Sequence, residues 1–248
     1  MILQNRRRGE KGNILFLILL AVVLFAALSY AVTQSLRGGG QNANNEKNLV
    51  KSATITQYPV GVRAAILRMI VGGTSPAALF FDPPSVFADI SSTADQALEV
   101  FHPSGGGAVF ALVPSDAMAT ASSTQRWYFN RDFEVPGIGT SVTSSDDGND
   151  LIAFADGLDS TLCQRINTEL GVSSIPVLTA AQTITTQQTK YDKGNTSSVI
   201  VYTSSTAGTN HITDNATVAS AVTNNKPYLC VRNGSSGNYV YYHVLVER

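Results

Sequence analysis

Nineteen consecutive residues, Ile14–Val32, carry no charge, and they follow directly on a basic stretch, Arg6-Arg7-Arg8-Gly9-Glu10-Lys11-Gly12-Asn13. A helix rises about 1.5 Å per residue, so this run spans roughly 28 Å, close to the hydrocarbon thickness of a bilayer. Arg6, Arg7, Arg8 and Lys11 precede it, and only Arg37 follows closely. That bias places the start of the chain in the cytoplasm and its bulk outside. A signal anchor is one reading of such a run. A removable signal peptide is another, because Ser29-Tyr30-Ala31 has the small residues of an export-type cleavage site. The run is longer, however, than the usual removable core of about 7–15 residues.

Beyond the apolar run about 210 residues remain, enough for one fair-sized domain or two small ones. The net charge is −1 and only 14% of residues are charged, so outside the leader there is no basic surplus of the kind nucleic acid requires. The weakly charged composition, rich in Ser, Thr and Gly, suits an exported β-rich domain. Cys163 and Cys230 are the two cysteines. An even count in an oxidising compartment favours a disulfide over two buried thiols. Closing a loop of about 68 residues stabilises by roughly 4 kcal/mol on the chain-entropy model.

Gly38-Gly39-Gly40 predicts an interruption of the helix, since three glycines cost it roughly 3 kcal/mol relative to alanines. Helical pattern resumes near Asn44, with Leu49, Val50 and Ala53 on one face. Pro59 predicts a kink or a division. Val60, Ala64, Leu67 and Val71 then form the stripe expected to pack on a sheet, leaving Arg63 and Arg68 to the other side. Gly72-Gly73 ends the helix. Strands are expected at Ala108–Val113, Trp127–Val135, Leu151–Phe154 and Ser198–Thr203. A short helix is expected over 160–170, capped by Asp159 or Ser160, with Leu162, Cys163, Ile166 and Leu170 on its buried face and Gly171 as its stop. Tyr228–Arg232 and Tyr239–Val246 flank a Gly/Asn/Ser loop and read as a hairpin.

The basic leader ending in Lys11-Gly12, followed by Asn13 and the apolar helix, resembles the class III signal of type IV pilins and type II secretion pseudopilins. The resemblance covers residues 6–32. It implies cleavage after Gly12 by a prepilin peptidase, with Asn13 as the new first residue and the helix retained. It also implies a long helix, apolar in its first part and amphipathic in its second, packed on a sheet, and one disulfide such as Cys163–Cys230. Position five of the mature chain departs from the pattern: most members carry Glu there, and this chain has Leu17. That Glu is thought to pair with a neighbouring subunit's terminal ammonium inside the filament. Its absence fits a minor or tip subunit, a divergent filament, or no filament.

Chemistry-bearing clusters are few. Asp146, Asp147 and Asp150 lie in a Ser/Asp/Gly/Asn stretch and are candidate calcium ligands. Their spacing does not fit the EF-hand, and a plain turn is the preferred reading. His102, His211 and His243 are scattered and fit no metal motif. His243 is expected at solvent or against a tyrosine. Tyr239 and Tyr241 share one face of their strand and Tyr242 takes the other. No nucleophile motif is present.

The expectation is therefore an α+β chain. It has a leader (1–12), a transmembrane helix (13–37), a glycine break with an amphipathic continuation (38–73), and an extracytoplasmic, mostly antiparallel β domain (74–248). No catalytic residue, cofactor or resident metal is expected. The resemblance implies a structural subunit, drawn from the bacterial inner membrane and assembled with copies of itself or other pilin-like subunits. Leu17, Ala21, Ala26 and Ala27 would lie on the helix–helix contacts. The rivals are an anchored or secreted binding protein without a filament, and an exported enzyme.

Overall fold

The computed structural model describes residues 13–120, 125–139, 149–178, 183–186, 200–203, 211–214, 220–234 and 236–248. Two compact parts are distinguished, Met1–Lys47 and Asn48–Arg248. In the first, the described residues belong to helix α1 (Asn13–Val71). Within it, Ile14–Gln34 is long and apolar enough to cross a membrane, and its side chains are exposed.

The interruption expected at Gly38–Gly40 is not there: α1 runs from Asn13 to Val71. Glycine weakens a helix by about 1 kcal/mol per residue but keeps its backbone donor, so flanking helix can carry the segment. Pro59 does not divide the helix either. It is buried within the helix, at the cost of one backbone donor. The helix stops where expected: Gly73 has φ +96°, and the Gly72, Gly73 and Thr74 N–H groups bond back to the last turn.

The second part is an α+β arrangement. Its centre is a four-stranded antiparallel sheet in the order β1-β2-β6-β5, formed by β1 (Trp127–Phe133), β2 (Asp150–Asp156), β5 (Tyr228–Arg232) and β6 (Tyr239–Val246). β3 (Thr183–Thr186) and β4 (Ile200–Thr203) pair separately. A single helical turn, α2 (Thr93–Gln96), precedes the sheet, and α3 (Ser160–Glu169) follows β2.

Alternation along the strands separates two cores. One face of the sheet presents Trp127, Phe129, Ala153, Cys230, Tyr241 and Leu245 to α1 and α3. The other presents Ile152, Phe154, Val231, Val240, Tyr242 and Val244, covered by the chain around Val135, Val172, Leu178 and Ile212. The tyrosine alternation on β6 is as expected from the sequence.

The docking face of α1 is not the expected one. Ile55, Val62, Ala65, Ile66 and Met69 are buried against the sheet, whereas Val60, Leu67 and Val71 are exposed. The helix is apolar on two sides, and the side with the larger side chains packs. Ala108–Val113 is also not a strand: it has no ladder partner among the described residues, and the Ala111 N–H bonds to the Tyr58 hydroxyl instead. The short helix expected over 160–170 is present, with Leu170 half-buried at its C-cap. α3 is capped by Asp159, buries Leu162, Cys163 and Ile166, and ends at Gly171 with φ +74°.

Ile66→Ala should lower the unfolding free energy by about 2–5 kcal/mol, while Leu67→Ala should cost less than about 1 kcal/mol. Urea unfolding followed by the fluorescence of Trp127, the one tryptophan, reads the difference. Equal costs would mean that α1 docks by another face.

Candidate functional site

Three features gather the residues that bear on function. The first is the apolar segment of α1. Leu17 is 54% exposed, and Phe16, Leu24 and Phe25 are more so. Two of its polar side chains bond along the helix: the Thr33 hydroxyl donates to the Ser29 carbonyl, and the Gln34 amide to the Tyr30 hydroxyl. Leu17, Ala21, Ala26 and Ala27 all lie in this exposed segment. Asn13 is the first residue of α1, and Gly12 lies outside the described residues.

The second is the outer side of α1 in the Asn48–Arg248 part. Val60, Gly61, Ala64, Leu67 and Val71 continue at helical spacing along an exposed face. Beside it a shallow cleft of about 480 Å³ lies between the helix and the loop Gly107–Val109. Gly61 and Gly107 leave open space there that a side chain would fill. Arg68 reaches across the rim to the Gly106 carbonyl at 3.2 Å.

The third is a set of buried polar groups around the sheet. Cys163 and Cys230 are joined in a disulfide that ties α3 to β5, both residues fully buried. Asn167, one turn after Cys163, brackets the same strand: its Nδ2 donates to the Cys230 carbonyl at 2.8 Å and its Oδ1 accepts from the Cys230 N–H at 2.9 Å. Nothing in the sequence marked Asn167. Only its spacing from Cys163 on a helix, read together with a strand pairing, points to it.

Asp146 and Asp147 lie outside the described residues. Asp150, placed in a turn by the sequence, is instead the first residue of β2 and is fully buried. Its Oδ2 accepts from the Val135 N–H at 2.9 Å and its Oδ1 from the Arg248 N–H at 3.2 Å. Burial pushes its carboxyl up to about 7, and the charges of Glu134 and Glu247 add to this against the two amide donors. Glu134 is itself buried, and its Oε2 lies 3.1 Å from His211 Nε2. Among the described residues no three His, Cys, Asp or Glu side chains are grouped to hold a metal ion.

His243 is 6% exposed and stacks on Tyr228 at 5.1 Å, with its Nδ1 2.8 Å from the Tyr241 hydroxyl. Burial first, and then the charge of Arg63, pull its pKa down to about 4. Tyr241 is fully buried, so the pair is enclosed on the helix-facing side of the sheet and reads as packing.

No known protein-family model, no curated protein and no solved structure matches this chain. An apolar N-terminal helix, an antiparallel sheet and a disulfide together are compatible with a pilin-like fold.

A neutral, buried histidine stabilises the fold fully above its unfolded pKa near 6.5, and that contribution is lost as pH falls through about 4. His243→Phe should therefore gain on the wild type by up to about 1.4 kcal/mol per pH unit between pH 6.5 and 4, whatever its offset at neutral pH. Denaturant midpoints of both proteins across that range test this. A constant difference would contradict a neutral His243.

Proposed function

We propose that this chain is a structural subunit of a type IV pilus-like or pseudopilus filament, cut after Gly12 and assembled through its N-terminal helix. The observation that carries this reading is the uncharged, exposed helical segment Ile14–Gln34 placed immediately behind the leader that ends in Lys11-Gly12. A single-pass precursor would hold the subunit in the bacterial inner membrane until the leader is removed by a prepilin peptidase. Helix–helix packing would then drive assembly with like subunits. Ala21, Ala26, Ala27, Ser29 and Ala31 allow close approach between helices. The disulfide-tied α+β domain supports the reading, as an extracytoplasmic body in an oxidising compartment.

Leu17 favours a second reading. With no acid at mature position five, the charge pairing that draws a subunit into a filament is missing, so a membrane-anchored or secreted binding protein is the alternative. A minor or tip subunit satisfies both observations.

The test is the intact mass and N-terminal sequence of the protein from native membranes and from sheared surface material. A start at Asn13, together with recovery in the sheared fraction, is expected. A start at Met1 or Val32 would remove the support for a filament subunit. Leu17→Glu should raise incorporation into sheared material severalfold if charge pairing is what this subunit lacks. Unchanged incorporation would discard that argument.

A further inference from the structure

Cys163 and Asn167 stand one turn apart on α3, and both side chains reach β5 at the same residue, Cys230. The disulfide takes the Cys230 side chain. The Asn167 amide takes both polar groups of its backbone: Nδ2 donates to the carbonyl at 2.8 Å, and Oδ1 accepts from the N–H at 2.9 Å. That is the pair of bonds which a neighbouring strand exchanges with one residue of an antiparallel ladder. β5 is the last strand in the order β1-β2-β6-β5, and Cys230 pairs with Tyr241 of β6 on its inner side. Asn167 therefore stands in for a missing strand at the outer edge. Two residues on, the main chain does the same: the Arg232 N–H donates to the Pro176 carbonyl, and the Leu178 N–H to the Arg232 carbonyl. Asn167, Cys163 and Cys230 are all fully buried, so without the amide two backbone groups of Cys230 would be left dry and unbonded. The Cα atoms of the two cysteines lie 5.3 Å apart, within the reach of a disulfide. Of these two ties, only the amide's exists before oxidation.

We propose that Asn167 is a positioning residue for disulfide formation: it holds the Cys230 peptide against α3 in the reduced chain, so that the two thiols meet in a helix–strand pair that is already docked. The oxidant is a small disulfide, represented by oxidised glutathione. One cysteine thiolate attacks it, which forms a mixed disulfide and releases one glutathione thiolate. The other cysteine thiolate then attacks the protein sulfur of that mixed disulfide, which forms Cys163–Cys230 and releases the second glutathione thiolate. The two protons of the cysteine thiols end on two glutathione molecules. Both sulfurs are buried, so the first attack takes place while the contact is open. The second takes place as it recloses, and there Asn167 draws the Cys230 peptide back to α3 and aligns the attack. The chain has no other cysteine, so a thiol that is not held in place can pair only with glutathione or with a second copy. The effect is reciprocal: whatever holds α3 to β5 in the reduced fold favours the disulfide, and the disulfide favours that contact equally.

The test is the equilibrium between reduced and oxidised full chain, in detergent micelles and glutathione buffers, with the forms counted by mass after thiol alkylation. Asn167→Ala should lower the equilibrium constant for Cys163–Cys230 by about fivefold or more relative to the wild type, and the share of glutathione mixed disulfide should rise. A residue that merely supports the fold would weaken the reduced and oxidised chains alike and leave that constant where it was. A change smaller than about fivefold would overturn the proposal. Should the variant not fold, the reduced wild type decides by amide hydrogen exchange at Cys230, whose N–H bonds to Asn167. Protection of about a hundredfold or more over an unstructured amide means that Asn167 holds the strand before oxidation, and weaker protection overturns the proposal.

Discussion

The Asn48–Arg248 part is organised by the seam between the final turns of α1 and one face of the sheet. Ile55, Val62, Ile66 and Met69 meet Trp127, Phe129, Ala153, Tyr241 and Leu245 there. Each such side chain contributes roughly 1.5–3 kcal/mol by leaving water, which makes this seam a principal source of stability for the described residues. Much else follows from it. The central strands β2 and β6 are buried on both sides because the other face is covered too, and their near-continuous apolar runs are the sequence trace of that double burial. α3 joins the same seam through Leu162, Cys163 and Ile166, and the disulfide then fixes helix to strand at a point already dry.

What the sequence revealed was local. α3 carried its own cap, stop and buried face within a dozen residues, and the β5–β6 hairpin carried alternating apolar residues around a turn of small polar ones. Such signals need no distant partner to be read. The docking face of α1 was different. Val60, Leu67 and Val71 have the same spacing as Ile55, Val62 and Ile66, rotated around the helix, and periodicity cannot say which of two apolar sides meets the sheet. Only the sheet's own position decides. Ala108–Val113 failed for a related reason: its composition suits a strand, but a strand exists only with a partner, and Tyr58 takes its backbone donor instead. Asp150 and Asn167 were opaque because their carboxylate and amide serve backbone groups fifteen or more residues away.

The buried ionisable groups work against one another in a narrow range of pH. His243 withdraws support as the medium acidifies, while Asp150 adds it over much of the same interval. Both shifts have burial as their largest cause, and opposite signs arise simply because one group is charged when protonated and the other when not. A fold that encloses one of each is buffered against acid in a way that a fold enclosing only histidine is not.

The segment Ile14–Gln34 poses the opposite problem, since it contains no Asp, Glu, His, Lys or Arg. An acid at position 17 would have to be buried in lipid before assembly and would be costly there until paired. Leucine removes that cost and with it the incentive to find a charged partner. Association of such a helix in lipid rests on shape: alanines and a serine let backbones come close, and dispersion acts along the contact. Those forces are short-ranged and weakly selective. In the Asn48–Arg248 part, by contrast, the exposed residues Val60, Gly61, Ala64, Leu67 and Val71, with Arg68 at the rim of the cleft beside Gly107, offer a patterned surface that the apolar segment lacks.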